Sequence, residues 1–266
     1  MQKVVLITGA TSGIGRAAAE LLTSEGYKVY GTARHIEGKE TGFELIAMDV
    51  RDTGSVQRAV AAIVEREGRI DVLVNNAGVG ATGAVEELSA QELEGVFATN
   101  VFGAVAVMQA VLPTMRTQGS GLIINITSIA GYMGLPFRGA YSASKGALML
   151  LSESVRMEVQ PFGVEVTTIA PGDFATDIAS RRLYTPVKED SPYAEVYAQQ
   201  LKTMDTHVDN GGDPKDMARR ILAVIRTKHP RVHYKEAKPL EQFSIVLKRL
   251  LPSKWYEAML RKFYSV

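Results

Sequence analysis

The sequence predicts an α/β fold, a doubly wound parallel sheet with helices on both faces, and three observations carry that prediction. Short β-branched runs bounded by glycine alternate with helix-length amphipathic stretches, the pattern of parallel strands joined by crossover helices. No internal repeat, low-complexity tract or Ser/Pro-rich linker interrupts the alternation before about residue 176, so the 266 residues read as a single domain. Hydrophobic residues make up 46% and charged residues 22%, the balance of a folded domain and not of a disordered chain.

In chain order, strands are expected at 3–8, 28–32, 44–48, 72–75, 122–126 and 164–169. Helices are expected at 14–23, 55–67, 90–115 and 143–160, where apolar residues recur at spacings of three and four. Beyond residue 176 the character changes. Residues 177–212 lack a strong strand signal and carry Tyr184, Tyr193, Tyr197 and Met204, which reads as a lid over a substrate pocket. Those tyrosines suit an apolar substrate, and equally suit packing of the lid onto the body. Residues 213–266 read as a helical C-terminal extension punctuated by Pro230, Pro239 and Pro252.

Charge and cysteine content exclude several classes of function. The formal net charge is +1, so no strong global field favours nucleic acid or acidic membranes. There is no cysteine, which removes disulfides, thiolate nucleophiles and cysteine-ligated metals. His35, His207, His229 and His233 stand at no metal-ligand spacing with nearby carboxylates, and no metal is expected. The apolar run Val4 to Ile7 stops at Thr8 and Gly9, far short of a signal-peptide core, so a cytoplasmic protein is expected.

The loop Thr8-Gly9-Ala10-Thr11-Ser12-Gly13-Ile14-Gly15 follows the first expected strand and opens the first helix, the context of the dinucleotide cradle in a Rossmann-type fold. Glycine lets the backbone turn tightly and approach a pyrophosphate, and the helix start offers its amides. A carboxylate commonly stands about 20 residues further on to hold the adenosine ribose. Here the second strand ends Tyr30-Gly31-Thr32-Ala33-Arg34-His35, with no acid between Glu25 and Glu37. A guanidinium at that place can pair with a 2′-phosphate, which favours NADP(H) over NAD(H). Asp49, just before Val50 at the end of the third strand, is a candidate acceptor for the adenine amino group.

Further along stand Asn75-Asn76-Ala77-Gly78, Asn100, Ser128, Tyr141-Ser142-Ala143-Ser144-Lys145, and Pro171-Gly172 followed by Thr176. Together with the glycine loop, over residues 3–177, they resemble the short-chain dehydrogenase/reductase family. The stretch Gly134-Leu135-Pro136-Phe137 and Pro161-Phe162-Gly163 are further similar to the branch of 17β-hydroxysteroid and retinol dehydrogenases. The resemblance implies Asn100, Ser128, Tyr141 and Lys145 as catalytic residues. It places Asn76, Ala77 and Gly78 on the adenosine side of the coenzyme and Pro171, Gly172, Phe174 and Thr176 around the nicotinamide, and it makes Asn100 the holder of a proton-relay water. Many NADPH-preferring relatives carry a second basic residue in the glycine loop, where this chain has Ser12.

The chemistry of these residue types agrees with the resemblance. Tyr141 and Lys145, four apart on a helix, share one face. A nearby ammonium draws a phenol with an ordinary pKa of about 10 towards neutral pH, and Ser128 can hold a substrate oxygen. Singly, each residue also reads as core, cap or solvated charge.

The expected function is NADP(H)-dependent interconversion of a secondary alcohol and a ketone on a hydrophobic substrate such as a steroid, retinoid or long-chain carbonyl. A catalytically silent NADP-binding redox sensor is the alternative. A sugar-nucleotide epimerase would share the Tyr/Lys pair, but the Asn-Asn-Ala-Gly motif and the modest length speak against it. A homo-oligomer, dimer or tetramer, is expected through 90–115 and 143–160, whose apolar content exceeds one buried face. Residues 241–263 carry apolar positions at helical spacing beside Lys248, Arg249, Lys254, Arg261 and Lys262. That suits a helix lying on a membrane, but a cover over the pocket or a partner subunit is the reading taken.

Overall fold

A computed structural model describes residues 2–174, 183–184, 190–209, 211–264 and 266. The first half runs β1 (Val4–Thr8), α1 (Gly13–Ser24), β2 (Lys28–Ala33), β3 (Glu44–Ala47), α2 (Thr53–Glu67), β4 (Val72–Asn75), β5 (Ala81–Thr82), α3 (Ala90–Phe97) and α4 (Ala104–Gln118). The second half runs β6 (Gly121–Ile126), α5 (Gly139–Val159), β7 (Val164–Pro171), β8 (Leu183–Tyr184), α6 (Ala194–Asp209), α7 (Pro214–Arg226), β9 (His233–Glu236), α8 (Pro239–Leu250) and α9 (Ser253–Tyr264).

Seven strands form one parallel sheet in the order β3-β2-β1-β4-β6-β7-β9. Leu6 lies opposite Tyr30 on one side and Leu73 on the other. A strand in such a sheet is covered on both faces, which is why all five residues of β1 are apolar or small and buried. Successive side chains alternate between faces. Val5 and Ile7 join Ala18, Leu22, Met217 and Ile221 of α1 and α7 in one core. Val4 and Leu6 join Val56, Ile63, Val107 and Val111 of α2 and α4 in the other.

Local chemistry sets the helix ends. The Asp52 side chain accepts a bond from the Gly54 amide at the start of α2, and Gly68, at φ 70°, ends it in the left-handed conformation that a side chain would resist. Asp213 caps α7 in the same way, with Pro214 at its first position.

Two expectations are corrected. The region 213–266 is not purely helical, because β9 adds the seventh strand. Its sequence, His-Tyr-Lys-Glu, is half-buried at a sheet edge and carries no apolar run, so neighbours hold it. The Thr168 amide donates to Val232 O at 3.0 Å and the Gly172 amide to Glu236 O at 2.9 Å. The His233 ring bridges Thr168 Oγ1 at 2.8 Å and Glu153 Oε1 at 3.0 Å. The expected helix 90–115 is likewise interrupted, between α3 and α4, by a π-helical turn over Ala98–Gly103.

A third core cluster lies beyond the end of the sheet. There Ile245 of α8 and Tyr256 of α9 pack against Ala130, Met133, Leu135, Ala140 and Tyr141. The C-terminal helices thus close over the region where α5 begins.

Candidate active site

The sheet order reverses between β1 and β4, and a crevice at such a switch point is where α/β folds bind dinucleotides. The motif after β4 is tied to the loop after β1. Thr8 Oγ1 accepts from the amides of Asn76 at 3.0 Å and Ala77 at 2.9 Å. The Asn76 side-chain amide donates to Thr8 O at 3.0 Å and Gly9 O at 3.1 Å. Gly9 and Gly13 have φ of 68° and 51°, and a Cβ on Gly15 would collide with the Gly9 carbonyl and the Asn76 amide. The loop is therefore pressed against Asn76 and Ala77, just beyond β4. These features fit a dinucleotide, whose phosphates need bare backbone at the head of a helix.

The cleft measures about 580 Å³. Gly9, Thr11, Ser12, Gly13 and Ile14 form its middle, Asn76, Ala77 and Gly78 one wall, and Tyr141, Lys145 and Pro171 the far end. Gly15 sits behind the loop as packing and not as lining.

At the near end Arg34, Asp49 and Val50 come together, and His35, Lys39 and Arg51 join them. Sequence reading missed Lys39 and Arg51, although Arg51 stands two residues beyond Asp49. Arg51 grips the Asp49 carboxylate with two bonds, Nε to Oδ1 at 3.1 Å and Nη2 to Oδ2 at 2.7 Å. This guanidinium holds the Asp49 carboxyl below its usual range against the opposing effect of burial, and Arg34 adds to it. The one acid at this end is thus partly neutralised.

At the far end Tyr141 and Lys145, both buried, lie one turn apart on α5. The Lys145 ammonium stands 6.0 Å from the centre of the Tyr141 ring and donates to Ile126 O at 2.9 Å. Burial pulls its pKa down to about 8. Ser128 follows β6, buried, with Oγ accepting from the Ala130 amide at 3.2 Å. Asn100 lies in the π-helical turn, a local irregularity frequent at functional sites. Its side chain satisfies the Val79 backbone twice, accepting from N at 2.8 Å and donating to O at 3.0 Å. It also donates to Ser144 Oγ at 3.0 Å, which donates to Tyr141 O. A Cβ on Gly78 would stand 3.2 Å from Asn100 Oδ1 and 3.3 Å from Lys145 Nζ. A side chain there would crowd both groups, and one of them would have to give by a few tenths of an ångström.

A second cavity, about 410 Å³, opens on the other side of Tyr141. Ile14, Tyr141 and Pro171 line both cavities, and Ser128 lines the second. Gly172 and Phe174, expected around the nicotinamide, also line this second cavity; Thr176 lies outside the described residues. Its apolar wall comes from Leu240, Phe243 and Leu247 of α8 and Met259, Leu260 and Phe263 of α9. In the sequence the tyrosines of 177–212 suit a pocket wall and packing of the lid onto the body alike, and Tyr193 and Tyr197 do the second. Tyr197 is buried, stacked on Phe137 with ring centres 5.2 Å apart, and bonds Thr82 Oγ1 at 3.2 Å. Tyr193 bonds Glu86 at 2.6 Å. They fasten α6 to the body. Phe137 takes part at φ 56°, a strained conformation for an aromatic residue, and Arg138 beside it reaches over the Tyr141 ring at 5.4 Å.

Comparisons with known proteins agree with this geometry. Residues 3–185 match the family model described as short chain dehydrogenase. The chain is 37% identical over 265 residues to a 3-ketodihydrosphingosine reductase of Bacteroides thetaiotaomicron, covering 99% of this chain and 98% of that protein. It is 34% identical over 252 residues to human 17-beta-hydroxysteroid dehydrogenase type 1, covering 87% and 76%. Among solved structures, a short-chain dehydrogenase from Streptomyces avermitilis superimposes with a TM-score of 0.81 at 34% identity, covering 100% of this chain and 97% of that one. A glycine loop locked to the strand beside it, a Tyr/Lys pair at the end of the cleft and these likenesses have one meaning: the chain belongs to the short-chain dehydrogenase/reductase family of oxidoreductases.

Proposed function

We propose that the protein interconverts a ketone and a secondary alcohol with NADP(H), acting on an apolar, long-chain substrate. One observation carries the reading. Tyr141 is a shared wall of the dinucleotide cleft and of an apolar cavity, so this residue stands where coenzyme and substrate would meet. The bound coenzyme supplies or accepts the hydride at its nicotinamide.

The chain's own residues do the rest. In the reducing direction Ser128 Oγ holds the carbonyl oxygen and the Tyr141 hydroxyl gives it a proton. The Lys145 ammonium, with one bond spent on Ile126 O, supports the phenolate left behind. Asn100 fixes the Val79 loop and Ser144 of α5, and through them the spacing between Gly78 and Lys145. In the role implied by family resemblance, it also holds the water through which Lys145 regains its proton. Preference for NADP(H) is supported by Arg34, His35, Lys39 and Arg51 gathered at the end where a lone carboxylate would otherwise select NAD(H).

The test is a panel of ketones and alcohols assayed with all four coenzyme forms. Turnover of long-chain or polycyclic ketones with NADPH, well above that of short polar ones, is expected. A preference for small polar carbonyls or for NADH would overturn the substrate or the coenzyme part respectively. A homo-oligomer belongs to the same proposal, because Phe102, Leu150 and Met157 leave apolar surface exposed beside α4 and on α5. Sedimentation showing only a 28.9 kDa species at micromolar concentration would contradict that part.

A further inference from the structure

The two C-terminal helices have an inner face and an outer face, and only the inner one is accounted for. Ile245 and Tyr256 are buried against the body, while Leu240, Phe243, Leu247, Met259 and Leu260 wall the apolar cavity. Outward, Leu250 is 75% exposed and Trp255 70%. Leu240, Phe243, Val246 and Phe263 are exposed as well. Leu240, Phe243 and Phe263 belong to both sets, so the exposed apolar surface is continuous with the cavity rim.

The charge of this segment differs from that of the rest. From Lys238 onward there are six Lys and Arg against two Glu, a net charge of +4, while the preceding 237 residues carry −3. All six cations, Lys238, Lys248, Arg249, Lys254, Arg261 and Lys262, are exposed. Large apolar side chains set among cations of one sign match a surface that is apolar below and anionic above. A second copy of the chain matches poorly, because a two-fold interface would press this +4 patch against itself.

We propose that α8 and α9 form a docking surface for an anionic lipid bilayer, with Leu250 and Trp255 entering the headgroup layer and the cavity mouth facing the membrane. A long-chain ketone could then pass from the bilayer along Leu240, Phe243 and Phe263 to Tyr141 without crossing water. This last consequence rests on the apolar-substrate reading; the docking itself does not.

Trp255 is the single tryptophan, so the full-length protein carries its own reporter. The experiment mixes it, without substrate, with vesicles of phosphatidylcholine alone or with phosphatidylglycerol added. Expected are co-sedimentation and a blue-shifted tryptophan emission on the anionic vesicles only, both weakened by high salt. The double substitution Leu250→Ser, Trp255→Ser touches no cavity wall and should lower vesicle binding by roughly tenfold or more, read by sedimentation. It should leave the melting temperature and the rate on a water-soluble ketone as they were. Wild-type protein that ignores anionic vesicles at low salt overturns the proposal. So does a pair of substitutions that dissociates an oligomer and leaves vesicle binding unchanged, since a second copy would then cover this face. Vesicle binding without turnover of long-chain ketones would instead refute the substrate reading and leave the docking surface standing.

Discussion

The two cavities that meet at Tyr141 are built on opposite plans. The dinucleotide cleft is made from the ends of β1, β2, β3, β4, β6 and β7 and the loops after them, and its shape is held by bonds to backbone amides such as those of Asn76 and Ala77 to Thr8 Oγ1. The apolar cavity takes a large part of its wall from side chains of α8 and α9, brought in from more than 90 residues beyond Tyr141. The first plan fixes one ligand, because bare backbone, a positive φ and a helix start accept a phosphate and little else. The second leaves the ligand to whichever side chains line a cover, so substrate choice can change without disturbing the coenzyme.

The sharpest way to test that separation is to remove the hydroxyl of Tyr141, a residue that lines both cavities. Tyr141→Phe keeps the ring and its packing, so coenzyme binding should persist while turnover falls by roughly two orders of magnitude or more. Fluorescence titration with NADPH beside a rate assay checks both halves, and wild-type turnover would remove Tyr141 from the chemistry.

A smaller effect should be confined to the cleft. Arg34→Ala should raise the Michaelis constant for NADPH by roughly ten- to a hundredfold, the value of a charge-assisted contact of about 1.5–3 kcal/mol, and change that for NADH little. The neighbouring Lys39 and Arg51 should keep the loss towards the lower end. Equal losses with both coenzymes would mean that Arg34 does not read the 2′-phosphate.

The smallest effect concerns stability. Burial lowers the Lys145 pKa to about 8, below the ordinary lysine value of about 10.4, so below pH 8 the coenzyme-free protein holds a charge that its surroundings disfavour. That cost is fully present below the folded pKa and is relieved as pH rises from about 8 to 10.4, because the unfolded chain binds more protons there. Wild type should therefore gain stability relative to Lys145→Met across that window, by about 2–4 °C of melting temperature per kcal/mol recovered. Melting temperatures that run parallel across the window would show that Lys145 binds its proton as tightly in the folded protein as in the unfolded chain, and that burial does not lower its pKa.

The contrast between the cavities also explains what could be read from the chain. Gly9, Gly13, Asn76 and the Tyr141/Lys145 pair carry their meaning locally, through φ, spacing and the strand or helix they border, and the structure brings them together as expected. Arg51 and Lys39 escaped notice because a basic residue in a loop is ordinary until a fold places it beside Arg34. Leu247, Met259 and Leu260 are visible in the sequence as an amphipathic face, read as a cover over the pocket or over a partner subunit, and the structure sets them on the apolar cavity. Tyr193 and Tyr197 suit a pocket or a packed lid equally by composition, and only their hydroxyl bonds to Glu86 and Thr82 decide for packing. β9 had no apolar run to announce it; its edge position depends on hydrogen bonds from β7 and on the His233 bridge to Glu153.

The π-helical turn at Ala98–Gly103 has a consequence for how this chain can vary in length. Such a turn holds an extra residue within an otherwise regular helix. Losing one residue from an α-helix ordinarily swings everything after it round by about 100°, yet here it would let α3 and α4 run on as one unbroken helix with the face of α4 still on the sheet. What would go is the bulge that aims Asn100 at Val79 and Ser144. The shortened chain would keep its circular dichroism and its affinity for coenzyme and lose turnover, so at this one place a deletion behaves as a point mutation in the active site.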